Sequence, residues 1–127
     1  MHGYLFRKKC VWCKLNEEHW GDLEPEMLCP ECERDMGLRP DIVWFGEIPY
    51  FLDEIQSLLV TADIFASVGT SGAVRPAADF VHAVNRNGGK TIEFNNQKTL
   101  VTPFFSEVRQ GKAGITIKEW VDELLAE

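Results

Sequence analysis

The sequence predicts an α/β fold in which a small cysteine-rich module precedes a parallel sheet. Three observations predict it. All four cysteines fall in two C-x-x-C pairs near the start, Cys10/Cys13 and Cys29/Cys32. From Arg39 onward, short runs of β-branched and aromatic residues alternate with helix-period patterns, the signature of β-α-β units. Gly and Pro stand at the joints between these runs, where strands must turn and helices must start. The expected division is residues 3–38 for the cysteine module and residues 39–127 for the sheet.

Taken in order, Met1 to Lys9 is a short opening segment, and His2 beside the terminus reads locally as a solvated residue. The cysteine pairs follow, with fifteen residues between Cys13 and Cys29. That spacing suits a structural zinc site. Each pair turns two thiolates toward one point, and two pairs complete a tetrahedron with no open position for water. Disulfides and a redox pair are the alternatives. The first suits an oxidising compartment, and the second needs a helix directly after the pair.

The stretch Arg39-Pro40-Asp41-Ile42-Val43-Trp44-Phe45-Gly46-Glu47 is the centre of the chain. Ile42 to Phe45 is a continuous apolar run, which predicts a strand of the parallel sheet buried on both faces. Gly46 breaks it, and the polar end Gly46-Glu47 would lie on the carboxyl edge where open α/β sheets bind ligands. An ordinary core strand with a turn is the plain alternative. Phe51, Ile55, Leu58 and Leu59 then predict a helix over residues 50–61.

Asp63 to Val68 predicts the next strand, ending in Gly69-Thr70-Ser71-Gly72. That loop is either a cradle for phosphate or ribose or a plain β-to-α turn, since it matches no established phosphate fingerprint. Pro76 opens a helix with Ala77, Phe80, Val81 and Val84 on one face, closed by Gly88-Gly89. Thr91 to Asn95 is a third strand. A short helix is expected over residues 103–109, a short strand over Ile115–Ile117, and a last helix with Trp120, Val121, Leu124 and Leu125 on its apolar face. Gly46-Glu47, Gly69-Thr70-Ser71 and Asn95 would then converge on one sheet edge.

Composition narrows the function. The 127 residues carry a net charge of -7, which argues against nucleic acid. Between Cys10 and Asp35 lie eight acidic residues against Lys14 and Arg34, a surface that is either simply solvated or attractive to a lysine-rich peptide. No run reaches the ~18 apolar residues of a membrane span. A cytoplasmic location is expected.

With these pieces in place, the chain resembles the sirtuins, the NAD-dependent protein-lysine deacylases, and most closely their bacterial-type branch. The resemblance rests on His2-Gly3, the two cysteine pairs, Arg39 through Glu47, Gly69-Thr70-Ser71-Gly72, Val74-x-Pro76-Ala77-Ala78, Glu93-x-Asn95 and Gly111-x-Ala113, in this order. It implies the second half of a Rossmann-like parallel sheet carrying a small four-cysteine zinc-ribbon module, with one structural zinc on Cys10, Cys13, Cys29 and Cys32. It implies that His2 is the general base, suited to take a proton from a ribose hydroxyl near neutral pH. Gly69, Thr70, Ser71 and Asn95 would hold the riboses and phosphates of NAD, with Ala113 near the adenine. The Val43 carbonyl would accept the acyl-lysine N–H and Phe45 would line the acyl tunnel. Gly46-Glu47 and Gly72 to Val74 would hold the peptide by strand addition.

The sequence also departs from that pattern. The Gly-Ala-Gly-x-Ser turn, the loop closing over NAD, the Gln-Asn-x-Asp stretch and the Tyr/Arg segment that selects acidic acyl groups have no counterpart here. Arg75 stands where Tyr is common, and Ser106 where Asp is common. The expected partners are an acyl-lysine protein or peptide, and the missing half or a complete sirtuin. Nucleic acid and membrane are not expected. The chain alone is expected to deacylate little or not at all. The alternative is a non-catalytic, zinc-stabilised remnant that binds peptide or nucleotide.

Overall fold

The computed structural model describes residues 1–126. They form two compact units, the first Met1–Leu52 and the second beginning at Asp53.

The first unit is built on an antiparallel sheet in the order β2-β1-β3, from β1 (Gly3–Cys10), β2 (Asn16–Glu18) and β3 (Leu38–Ile42). Neither β1 nor β2 is legible in the sequence, because their residues show no apolar alternation. β1 is bracketed by its partners instead, with Lys8 opposite both Glu17 and Pro40.

Here the expected buried strand Ile42–Phe45 is corrected. The strand ends at Ile42, pairs antiparallel with β1, and takes no part in the parallel sheet. Beyond it the chain turns. The Glu47 N–H bonds the Trp44 carbonyl at 3.0 Å and Gly46 has φ +89°. Phe45 is 96% exposed, so an apolar run here marks a projecting loop and not a core strand. Gly46-Glu47 is therefore not a strand end of the parallel sheet, and residues 39–52 lie with the cysteine module in the first unit.

The second unit holds a parallel sheet, β4-β5-β6, from β4 (Ile64–Val68), β5 (Lys90–Asn95) and β6 (Glu107–Gln110). Thr91, Ile92, Glu93 and Phe94 of the central strand are all buried, as a strand covered on both faces requires. On one side Leu59 of α1 (Leu52–Leu59) packs with Ala83 and Val84 of α2 (Phe80–Arg86) and with Phe65. Elsewhere Trp120 of α3 (Ala113–Leu125) meets the Phe94 ring edge-on at 5.6 Å.

Two more expectations change. Residues 103–109 form not a helix but a 3₁₀ turn at Thr102–Phe104 followed by β6, because the backbone of Glu107 to Gln110 pairs with β5. Ile115–Ile117 is helical, within α3. Its β-branched run is overridden by the packing of the whole helix, and the Thr116 hydroxyl bonds back to the Lys112 carbonyl at 3.3 Å. Among the described residues no helix is long and apolar enough to cross a membrane.

Candidate metal centre and ligand-binding edges

The metal centre forms where β1 ends and β3 begins, with Cys10 opposite Leu38. Two turns present the sulfurs. The Cys10 N–H bonds the Leu15 carbonyl at 3.0 Å in the first, and the Cys29 N–H bonds the Arg34 carbonyl at 2.9 Å in the second. The four Sγ atoms lie within 4.8 Å of one another, with Cys10 and Cys32 at 3.8 Å and Cys13 and Cys29 at 3.6 Å. A tetrahedron of ~2.3 Å Zn–S bonds places its sulfurs ~3.8 Å apart, so the donor set fits zinc. A disulfide would need ~2.05 Å, and all four thiols are free.

The electrostatics agree with a cation at the centre. Burial opposes ionisation of Cys10, yet the N–H groups of Trp12 and Cys13 and the neighbouring thiols bring it to about 7. For Cys13 the Leu15 N–H favours the thiolate, but burial and the other three sulfurs push it up to about 12. Four thiolates packed this closely require a bound cation to ionise together.

At the other end of β1, His2 is exposed, and its carbonyl accepts the Val43 N–H at 2.9 Å. The fold thus sets two sequence-nominated residues, His2 and Val43, side by side. Gly3 is what permits it. Its φ is +87°, and a Cβ there would sit 1.9 Å from the Asp41 carbonyl oxygen.

The loop after Val43 is held by Arg39 and Glu47. The guanidinium donates to both carboxylate oxygens, at 2.5 and 2.9 Å, and the carboxylate also accepts the Trp44 N–H at 2.9 Å. Arg39, first, and the Trp44 N–H hold the Glu47 carboxyl at about 2, against an ordinary 4.5. A depressed carboxyl contributes stability that is complete above its unfolded value and lost as pH falls through about 2. The difference in denaturation midpoint between wild type and Glu47→Gln is therefore expected to stay constant from about pH 6 to 8. A difference that drifts across that range would contradict this assignment.

Beneath the loop, Asp41 is 6% exposed. Burial opposes its ionisation, but the Tyr50 hydroxyl at 2.6 Å, the Asn16 amide at 2.8 Å and Lys9 hold it below the ordinary range.

In the second unit the strand ends do gather. The Gly69 N–H bonds the Phe94 carbonyl at 2.9 Å, the Asn95 amide donates to the Thr70 carbonyl at 2.7 Å, and the Gly111 N–H bonds the Asn95 carbonyl at 2.9 Å. Ala113, two residues on, opens α3. The Thr70 and Ser71 hydroxyls accept the N–H groups of Gly72 and Ala73 at 3.1 and 3.3 Å, which curls the loop over itself.

Gly72 is buried with φ +62°, and a Cβ there would meet Val101 Cγ2 at 2.3 Å. Gly72→Ala is expected to cost about 1–3 kcal/mol, read from urea midpoints, because left-handed strain and overlap add. An unchanged midpoint would show that the loop has room to move. Val74 is exposed two residues further along.

Behind the sheet edge lie residues that the sequence marks, in Glu93 and Ser106, without assigning them a role. Glu93, 1% exposed, accepts the hydroxyls of Thr99 at 2.6 Å and of Thr102. Ser106, where Asp is common in the resembled family, bonds the Thr91 backbone carbonyl at 2.8 Å and takes the Thr91 N–H at 2.9 Å. The one available signal was a charged residue inside the otherwise uncharged strand Thr91–Asn95, which demands buried partners.

Comparison with known proteins agrees with this geometry. A sequence model described as Sir2 family matches residues 1–76. An NAD-dependent protein deacylase of Caulobacter vibrioides is 43% identical over 126 residues, covering 99% of this chain and 53% of the relative. One from Vibrio vulnificus is 44% identical over 126 residues, covering 99% and 51%. Among solved structures, a Sir2 homolog–NAD complex superposes with a TM-score of 0.87 at 34% identity, over 98% of this chain and 50% of that one. Sir2Tm bound to a propionylated peptide gives 0.82 at 25% identity, over 100% and 56%. The chain spans about half the length of the curated relatives it matches.

Proposed function

Because the chain belongs to the Sir2 family, we propose that it is the zinc-bearing, nucleotide-binding portion of an NAD-dependent protein-lysine deacylase. The reaction moves an acyl group from a lysine side chain to ADP-ribose and releases nicotinamide. The observation that carries the proposal is the pairing of His2 with Val43 through one backbone hydrogen bond of 2.9 Å, in a unit that also holds a complete four-cysteine centre.

In this reading His2 is the general base that takes a proton from a ribose hydroxyl. The Val43 carbonyl accepts the acyl-lysine N–H, Phe45 lines the acyl group, and Gly46-Glu47 offers backbone to an extended peptide. Gly72 and Val74 are further substrate-contacting residues. Gly69, Thr70, Ser71 and Asn95 bind the ribose and phosphate groups of NAD, and Ala113 the adenine end. The convergence of three strand ends in the second unit supports the nucleotide assignment. The zinc holds β1 and β3 together and takes no part in the chemistry. We place the protein in the cytoplasm, acting on acylated proteins and not on nucleic acid.

Titration calorimetry of the zinc-loaded chain with NAD and with an acetyl-lysine peptide tests the proposal. Saturable binding of both is expected, weak for NAD. Binding of neither would leave only a zinc-stabilised α/β scaffold.

A further inference from the structure

We propose that Arg39 is a positioning residue for peptide recognition, holding residues 42–47 in the shape an incoming strand needs. The inference rests on the reading of Val43 to Glu47 as the peptide-facing edge. Arg39 is 9% exposed, and its guanidinium gathers three parts of one loop. Nη2 donates to the Ile42 carbonyl at 2.7 Å, where β3 ends. The fork pairs with the Glu47 carboxylate at 2.5 and 2.9 Å, and the guanidinium carbon stacks 3.5 Å from the Trp44 ring centroid. The same carboxylate takes the Trp44 N–H. Residues 42, 44 and 47 are thereby closed into a ring, with Val43, Phe45 and Gly46 as the positions between the tied ones.

Stability alone is a poor reason for this arrangement. Among the described residues, Arg39 Nε is buried without an acceptor, and an unmet buried donor is destabilising. A buried ion pair is often replaceable by apolar side chains without loss. What an apolar replacement could not do is tie a strand-end carbonyl, a ring face and a carboxylate at once. Strand addition gains most when the receiving backbone is already ordered, since ordering it on binding opposes affinity. Lysine would keep the charge but has neither the planar fork nor the stacking face.

The test uses the zinc-loaded 127-residue chain, an extended peptide with one acetyl-lysine, and the same peptide N-methylated at the amides flanking that lysine. Wild type is expected to lose affinity on N-methylation, which removes main-chain donors. Arg39→Lys is expected to keep its zinc, to bind the unmodified peptide about tenfold more weakly, and to be nearly indifferent to N-methylation. A fold defect alone would not remove that sensitivity selectively. Should Arg39→Lys lose its zinc, Glu47→Gln, which keeps size and shape, carries the same comparison with the same expectation. If either zinc-loaded variant binds like wild type with the N-methylation penalty intact, the role of Arg39 falls while the peptide reading stands. If wild type itself ignores the peptide or its N-methylation, the peptide reading falls and this inference with it.

Discussion

Stripping the metal is expected to unfold the first unit. The pure chain should carry one zinc. Adding a strong chelator should collapse the amide spectrum of β1 and β3 while the amides of β4 to β6, whose core contains no cysteine, remain dispersed. The size of the effect follows from what else could hold this unit. Cys10 and Cys29 are its buried apolar residues, while Trp12, Trp20, Leu28 and Met36 are exposed. Binding of structural zinc contributes about 10–16 kcal/mol in small modules, comparable with the entire ~5–15 kcal/mol stability of a domain. Cys29→Ser, which alters a ligand at 0% exposure, should behave like chelation. A chain that purifies without zinc and still shows dispersed β1 and β3 amides would overturn the metal assignment.

The second large effect concerns His2. In a chimera joining this chain to the part of the Caulobacter vibrioides relative that lies outside the match, His2→Ala is expected to lower kcat/KM by about 10²–10⁴, the usual contribution of a general base. Zinc content and NAD affinity should not change, because the His2 side chain is exposed and its backbone carbonyl, which any residue supplies, makes the bond to Val43. Equal kcat/KM in the two chimeras would remove His2 from the chemistry. The 127-residue chain by itself is expected to release nicotinamide more slowly than ~1 s⁻¹.

Much of the site could be named in advance, because its signals are local. Two C-x-x-C pairs at zinc spacing need no knowledge of the fold, and the sulfur cluster follows from them. Strands ending in Gly69-Thr70 and Asn95 were visible as apolar runs stopping at polar residues, and the sheet brings them together. What could not be read was pairing. β1 has the sequence Gly3-Tyr4-Leu5-Phe6-Arg7-Lys8-Lys9-Cys10, an apolar half followed by a basic half with no alternation, and it is a strand because Leu38 to Ile42 and Asn16 to Glu18 lie on either side of it. β6 is likewise a strand only because β5 accepts it. The apolar run at Ile42–Phe45 misled for the converse reason. Its composition suits a buried strand, but Arg39 stacks on Trp44 and Gly46 turns the chain, so Phe45 projects into solvent.

The sequence by itself determined the metal ligands, the α/β class, the strands at Asp63–Val68 and Thr91–Asn95 and the residue types at the ends of those two strands. These depend on spacing and periodicity within a few residues, which short-range chemistry sets. Only the tertiary structure decided that the segment 39–52 joins the cysteine module, that His2 lies beside Val43, and that Arg39 and Glu93 are the buried charges around which two loops are organised. Each of those facts is a contact between residues distant in the chain or a burial created by assembly, and neither exists until the backbone has been brought together.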